Sequence, residues 1–234
     1  RTIAILEGGE REPDRTSQDL YQGTGTMTDP DGRTRNLGNY LSASRVRAFG
    51  GSGHVWGGKC GRLEPADFEK RDWVPGSGWP FGREHLDPFY DRAARLLEVP
   101  EFRDDLTARD PARPELPIRE FTTVARVHSP VTGWREKEKF DEFRLGPTRR
   151  PNITVYLGAS VTAIETDSQG RAVTGLTVRT LTGKRHTAKA ARYVLATGGM
   201  ENVRLLLVAT GVNPKGVGND HDLVWCAAKA ARDV

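Results

Sequence analysis

Thr2-Ile3-Ala4-Ile5-Leu6-Glu7-Gly8-Gly9 is a short apolar run that ends in an acid and two glycines. A run of this length suits a parallel strand covered on both faces. In a dinucleotide-binding fold the second parallel strand ends in an acid that accepts both hydroxyl hydrogens of the adenosine ribose, roughly 20 residues after a glycine fingerprint. Glu7 stands at such a strand end. An ordinary turn would account for Glu-Gly-Gly equally well, and in the nucleotide reading the fingerprint lies before residue 1. The chain opens on Arg1 with no charged leader or small-residue cleavage site ahead of the strand, so the expectation is a fragment of a longer protein.

Further along, Arg47-Ala48-Phe49-Gly50-Gly51-Ser52-Gly53-His54-Val55-Trp56-Gly57-Gly58 carries two glycine pairs with Ser, His and Trp between them. Glycine pairs let a backbone approach a ligand closely, and the amides of Gly51 and Ser52 could face an anionic or electron-rich group. A structural turn needs less than this.

Around these stretches the composition divides the chain into three zones. Residues 1–65 are Gly-rich. Residues 66–150 hold most of the prolines and aromatics. There, residues 83–97 place Leu86, Phe89, Tyr90, Ala93 and Leu97 at helical spacing, with Pro88 in the first turn, and predict one amphipathic helix. Residues 101–150 are polar and proline-punctuated and predict long loops. The third zone reads as strands at 153–157, 161–165, 172–180 and 193–196, with turns at Asp167-Ser168-Gln169-Gly170 and Thr182-Gly183-Lys184. A helix over 200–209 follows Gly198-Gly199 and stops at Gly211. There is no internal repeat.

The 234 residues carry 35 Lys and Arg against 31 Asp and Glu, a net charge of +4 scattered among acids. A nucleic-acid partner would need concentrated cations, so none is expected. The longest aliphatic run, Leu205-Leu206-Leu207-Val208-Ala209, falls far short of the roughly 20 residues of a bilayer span. No membrane span is expected. Cys60 and Cys226 fit neither a disulfide framework nor a metal-ligand spacing, so reduced thiols and no metal are expected. A soluble chain, with the cytoplasm favoured, is the reading of compartment.

Five segments in order carry a resemblance. They are Leu6-Glu7-Gly8-Gly9, residues 47–58, Asp67-Phe68 with Gly78-Trp79-Pro80, Ala196-Thr197-Gly198-Gly199, and Gly216-Val217-Gly218-Asn219 with Asp222-Leu223-Val224. Together they resemble the glucose-methanol-choline (GMC) oxidoreductases, a family of FAD enzymes, over nearly the whole chain. The resemblance implies that Glu7 binds the FAD ribose, and that Arg47, Gly50, Gly51, Ser52, Val55, Trp56, Gly57 and Gly58 belong to the loop along the flavin and its ribityl chain. It also implies that Val161 meets adenine through its backbone, that Thr197, Gly198 and Gly199 close the nucleotide pocket, and that Asn219 and Asp222 return to the flavin region. In the pyranose-oxidase-like members of the family the covalent flavin anchor is a histidine immediately before the tryptophan. Val55 holds that place and His54 lies one earlier, so non-covalent FAD is expected.

The resemblance implies an α/β fold: an incomplete FAD/NAD(P)-binding Rossmann-like domain with a mostly parallel sheet, a β-meander excursion and an inserted substrate-side segment. The FAD-binding domain would comprise 1–65 and 151–224, the inserted cap 66–150, and an atypical tail 225–234. It implies hydride transfer from the carbinol carbon of an alcohol or sugar to flavin N5, with a separate electron acceptor in the complete enzyme. The family's catalytic histidine and its partner would lie outside this chain, so no catalytic residue is assigned and the chain alone is expected to be inactive. The alternative is a non-catalytic nucleotide-binding remnant or module. An NAD-dependent dehydrogenase would explain Glu7 but not the double-glycine loop.

Overall fold

A computed structural model describes residues 1–29, 31–73, 77–100 and 127–209. They fall into two compact units, one drawn from residues 1–52 and 147–209, the other from residues 53–146. The strands and helices, in chain order, are β1 (Ile3–Leu6), α1 (Arg15–Asp19), β2 (Thr26–Thr28), β3 (Thr34–Asn36), α2 (Tyr40–Ala43), β4 (Lys59–Cys60), α3 (Pro65–Phe68), α4 (Asp87–Leu96), β5 (Val127–His128), α5 (Lys137–Leu145), β6 (Ile153–Tyr156), β7 (Ser160–Thr166), β8 (Val173–Arg179), β9 (Arg185–Ala188) and α6 (Gly199–Val208). The fold is mixed α/β.

In the first unit β1 pairs parallel with β6, Ile3 opposite Ile153 through Leu6 opposite Tyr156. A parallel partner must come from a distant segment, because no tight turn can join two parallel strands. Past the turn after β1, an isolated parallel bridge joins Glu10 to Ala48. The strands β7, β8 and β9 form an antiparallel meander, the excursion expected from the sequence. Its first turn is held by Asp167 Oδ1, which accepts from the amides of Gln169 and Arg171 at 3.2 and 2.8 Å. α6 packs on β7, and Val178, Leu205, Ala159 and Ala48 are buried. A small hairpin, β2 with β3, completes the pairing of this unit.

The second unit is built around Cys60, Ala94 and Val99, with Trp56 and Leu97 packed against them. β4 pairs antiparallel with β5. Phe140 of α5 is 2% exposed. The Cys60 thiol is free and buried, and burial raises its pKa. Among the described residues no helix is long and apolar enough to cross a membrane.

Several expectations change. β1 is not covered on both faces: Ile3 is 49% exposed. Residues 193–196 form no strand among the described residues, and Val194 stands 87% exposed. The turn expected at 182–184, closed by Thr180 and Lys184, delivers the chain straight back onto β8 as β9. The helix at 83–97 begins as a 3-10 turn over Arg83–His85 and becomes α-helical at Asp87, where Pro88 fits the first turn. Its buried side is centred on Ala94, and Phe89 is 53% exposed. Within 101–150 the residues 137–145 form α5 rather than a loop. Lys137 and Arg144 both pair with Asp141, and Phe140 with the buried Arg144 forms its inner side. Alternating charge at i, i+3 and i, i+4 supports a helix even where apolar residues are few. Residues 101–126, the expected stop at Gly211, Cys226 and the tail 225–234 lie outside the described residues.

Candidate functional site

Glu7 leaves β1 with its amide donating to the Tyr156 carbonyl at 2.9 Å and its own carbonyl accepting from Ala159 at 2.8 Å. Both sides of the residue are therefore held by the segment joining β6 to β7. Its carboxylate turns back over the glycines, and Oε1 accepts from the Gly9 amide at 2.7 Å. The second carboxylate oxygen takes no hydrogen bond from the described residues. Gly9 is buried, and a Cβ there would run into the carbonyl of Arg47, with the Ala48 nitrogen at 2.8 Å. This close approach requires glycine. The acid at residue 7 and the loop that starts at residue 47 thus share one neighbourhood within the first unit.

Arg47 is the centre of that neighbourhood. Its Nη2 donates to Ser160 Oγ at 2.7 Å, and its guanidinium lies where a Cβ on Gly8 would stand. Its amide donates to Gln18 Oε1 at 2.9 Å, and Gln18 Nε2 in turn donates to the carbonyls of Ser42 and Arg45. The Nε of Arg47 is buried without a hydrogen-bond partner. Arg45 and Arg47 both face the Tyr21 ring, 3.8 and 5.4 Å from its centroid. Burial raises the Tyr21 hydroxyl pKa.

Arg45 also reaches α6, donating to Glu201 Oε1 at 2.8 Å, and Arg204 holds the other oxygen at 2.8 Å. Burial alone would raise the Glu201 carboxyl, yet the hydrogen bonds and charges of Arg204 and Arg45 prevail and hold its pKa below the usual value. Just before this helix, Thr197 donates from its amide and its hydroxyl to Asn202 Oδ1, at 3.0 and 2.6 Å. Gly198 and Gly199 have no atoms within 4 Å of the place a Cβ would take. Val161 lies one residue beyond Ser160 in β7, opposite Val178. Val161, Arg47 and Glu7 therefore come together, and the Thr197–Gly199 turn is tied to the same set through Glu201 and Arg45.

The double-glycine loop crosses from one unit to the other. In the first unit, Gly50 and Gly51 have φ of 104° and 53°, Gly51 donates to the Ala48 carbonyl at 2.7 Å, and space is open above it. Ser52 Oγ accepts from the Val46 amide at 3.3 Å. In the second unit, the His54 ring meets Phe140 edge-on at 4.8 Å, and Val55 is 53% exposed. Trp56 Nε1 donates to the Val131 carbonyl at 2.9 Å, while the Trp56 carbonyl accepts from Trp134 Nε1. Gly57 is open. Gly58 is buried at φ of 71°, its space closed by the Ser129 carbonyl. Asn219 and Asp222 lie outside the described residues.

Sequence reading passed over Gln18, Tyr21, Arg45, Ser160 and Glu201, which hold this arrangement together. Only the adjacency of Arg45 and Arg47 to the loop hinted at it.

The arrangement suits a nucleotide on three counts. One Glu7 oxygen is open to a hydroxyl donor, a buried Arg47 nitrogen has no acceptor, and open space lies where a Cβ would stand at Gly51, Gly198 and Gly199. Backbone amides at a helix start favour phosphate or polar oxygens.

No family model matches the chain. It is similar to paromamine 6'-oxidase of Streptomyces fradiae, 26% identical over 261 aligned positions that cover 95% of this chain and 48% of that protein. It is also similar to 6'''-hydroxyparomomycin C oxidase of Streptomyces lividus, 26% identical over 218 positions, covering 75% of this chain and 40% of that protein. The chain thus spans about half the length of the curated relatives it matches. Among solved structures, formate oxidase aligns over 89% of this chain and 43% of its own, at 16% identity and a TM-score of 0.44. A variant of the formate oxidase of Aspergillus oryzae RIB40 aligns with a TM-score of 0.46 at 17% identity. The chain is thus similar in sequence to two curated oxidases, and its motif order resembles that of the GMC oxidoreductases.

Proposed function

We propose that this chain is the nucleotide-holding part of an FAD-dependent oxidoreductase that acts on a CH-OH group of an alcohol or sugar-like substrate. The observation that carries the reading is the shared neighbourhood of Glu7 and the loop beginning at Arg47, with the Arg47 carbonyl packed on Gly9. The two curated relatives, named as oxidases of paromamine and of a hydroxyparomomycin, support a hydroxylated amino sugar as the substrate of the complete protein.

In this reading Glu7 takes the ribose hydroxyls on its open oxygen, while its other oxygen stays bound to the Gly9 amide and keeps the carboxylate aimed. Arg47 holds the turn after β1 against Ser160, so that Val161 presents its backbone to the base. Thr197 fixes the turn through its bonds to Asn202 and so closes the pocket, and Gly198 and Gly199 contribute amides at the start of α6. Gly50, Gly51, Ser52, Val55, Trp56, Gly57 and Gly58 line the ring and its side chain, and Asn219 and Asp222 approach it. When bound, FAD supplies a hydride acceptor at N5. His54 forms no flavin link, and attachment is non-covalent. The base that takes the hydroxyl proton, and the groups that meet substrate and electron acceptor, belong to the complete protein, so the chain alone does not turn over.

Titration of the chain with FAD tests this. Flavin fluorescence is quenched on binding, acid precipitation releases all the flavin, and Glu7→Gln weakens binding about tenfold, the loss of one charge-assisted hydrogen bond. Binding of ADP with no quenching of FAD would favour a nucleotide-binding module instead. Binding of neither would end the reading.

A further inference from the structure

In the second unit, a cleft of about 490 Å³ is lined by Phe68, Trp79, Phe81, Glu69, Glu84 and Asp87, with Pro65, Pro80, Gly82 and Arg83 completing its walls. Its volume falls within the roughly 300–1,000 Å³ of small-molecule sites. We propose that this cleft binds a protonated amine carried on a hydroxylated ring, an amino sugar in its simplest form.

The aromatic wall is held in place. Phe68 is 6% exposed, and the Trp79 and Phe81 rings lie 5.8 and 6.2 Å from it and 5.6 Å from each other. The Trp79 amide donates to the Phe68 carbonyl at 3.0 Å, which ties the two residues at the backbone as well. Yet Trp79 remains 53% exposed. A large ring fixed on one side and open on the other is a stacking surface for the C–H face of a sugar or for a cation.

The polar wall selects the charge. Three carboxylates and one guanidinium line the cleft, in a chain whose overall charge is +4. Asp87 is engaged by Arg62 and Arg83, at 3.4 and 3.9 Å. Glu69 and Glu84 make no ion pair among the described residues. The Glu84 carboxylate is folded over Gly82, in the space a Cβ there would occupy, so it lies against the cleft wall. Two uncompensated carboxylates beside an open aromatic face disfavour an anion and leave a neutral sugar without its best partner. An ammonium group satisfies both.

The proposal places the amino-sugar substrate of the proposed function in the second unit, and for that ligand class it rests on that reading. Its test uses the intact chain without FAD, by isothermal titration with glucosamine, and with glucose and N-acetylglucosamine as neutral controls. Glucosamine is expected to bind at least about tenfold more tightly than either control, and more weakly as salt is raised. The exposed pair Glu69→Gln and Glu84→Gln should remove that preference without changing the melting temperature, and Trp79→Phe should weaken all three ligands together. Equal binding of glucosamine and glucose, an unchanged preference in the double variant, or no heat with glucosamine at tens of millimolar would each overturn it. FAD binding to the same preparation, measured separately, keeps failure here distinct from failure of the flavin reading.

Discussion

Arg47 Nη2 donates to Ser160 Oγ at 2.7 Å, a contact between residues 113 positions apart in the chain. It fastens the turn after β1 to the first residue of β7, and the same arginine accounts for the glycines at 8 and 9 by filling the space beside them. Removing the guanidinium releases Ser160 and the space beside Gly8, while the Arg47 carbonyl stays against Gly9. Arg47→Ala should destabilise the chain by about 1.5–3 kcal/mol, the range for a hydrogen bond to a charged group, and weaken FAD binding. Arg47→Lys should recover little, since an ammonium cannot reproduce the planar fork. Urea denaturation and FAD titration measure the two effects.

Gly9→Ala puts a methyl group into the Arg47 carbonyl. Backbone on both sides leaves no flexible end to yield, so a loss of about 1–3 kcal/mol, the usual cost of overpacking, is expected. Gly51→Ala meets no atoms but occupies a positive φ of 53°. Its cost should be about 1 kcal/mol, with the larger effect on FAD affinity, because the methyl projects into the open space. Opposite rankings of the two variants in melting temperature would contradict this.

The Glu201 carboxyl has its pKa lowered from 4.5 in the folded chain, against the pull of burial, by the hydrogen bonds and charges of Arg204 and Arg45. A lowered folded pKa means stability that is fully present above the unfolded value and is lost as pH falls through the folded one. Acid should therefore weaken the chain below about pH 4.5, and Glu201→Gln should flatten that dependence while lowering stability at neutral pH. Denaturation midpoints from pH 3 to pH 7 provide the check.

Asn202 accepts twice from Thr197 and donates to the Leu195 carbonyl, which fixes the entry to α6. Asn202→Ala should cost about 1 kcal/mol, as does the loss of a helix cap. Amide exchange should rise at residues 197–202 and leave β8 protected.

Phe140 is 2% exposed, lies over Gly53 and meets the His54 ring. Phe140→Ala should cost about 3–5 kcal/mol. The loss is expected in the second unit, so tryptophan fluorescence from Trp56 and Trp134 should report it first.

Much of the local structure was legible along the chain because it is written in short range. The apolar run ending at Glu7 forms β1, the β-rich stretches of 153–180 form β6, β7 and β8, and Gly198-Gly199 opens α6. Each depends on periodicity or on a turn residue within a few positions. α5 was missed because its support is charge pairing with one buried aromatic, and β9 because a strand of Arg185, His186, Thr187 and Ala188 has no apolar alternation to reveal it.

The sequence by itself determined that Glu7 ends a strand, that glycines crowd residues 50–58, and that the order of these motifs resembles that of the GMC oxidoreductases. Only the tertiary structure decided that Glu7 aims one oxygen at the Gly9 amide, that Arg47 binds Ser160, and that Glu201 is shared by Arg45 and Arg204. The physical reason is reach. Strand and turn preferences act through neighbours in the chain, whereas a guanidinium finds its acceptor wherever β-pairing and helix packing bring one within about 3 Å.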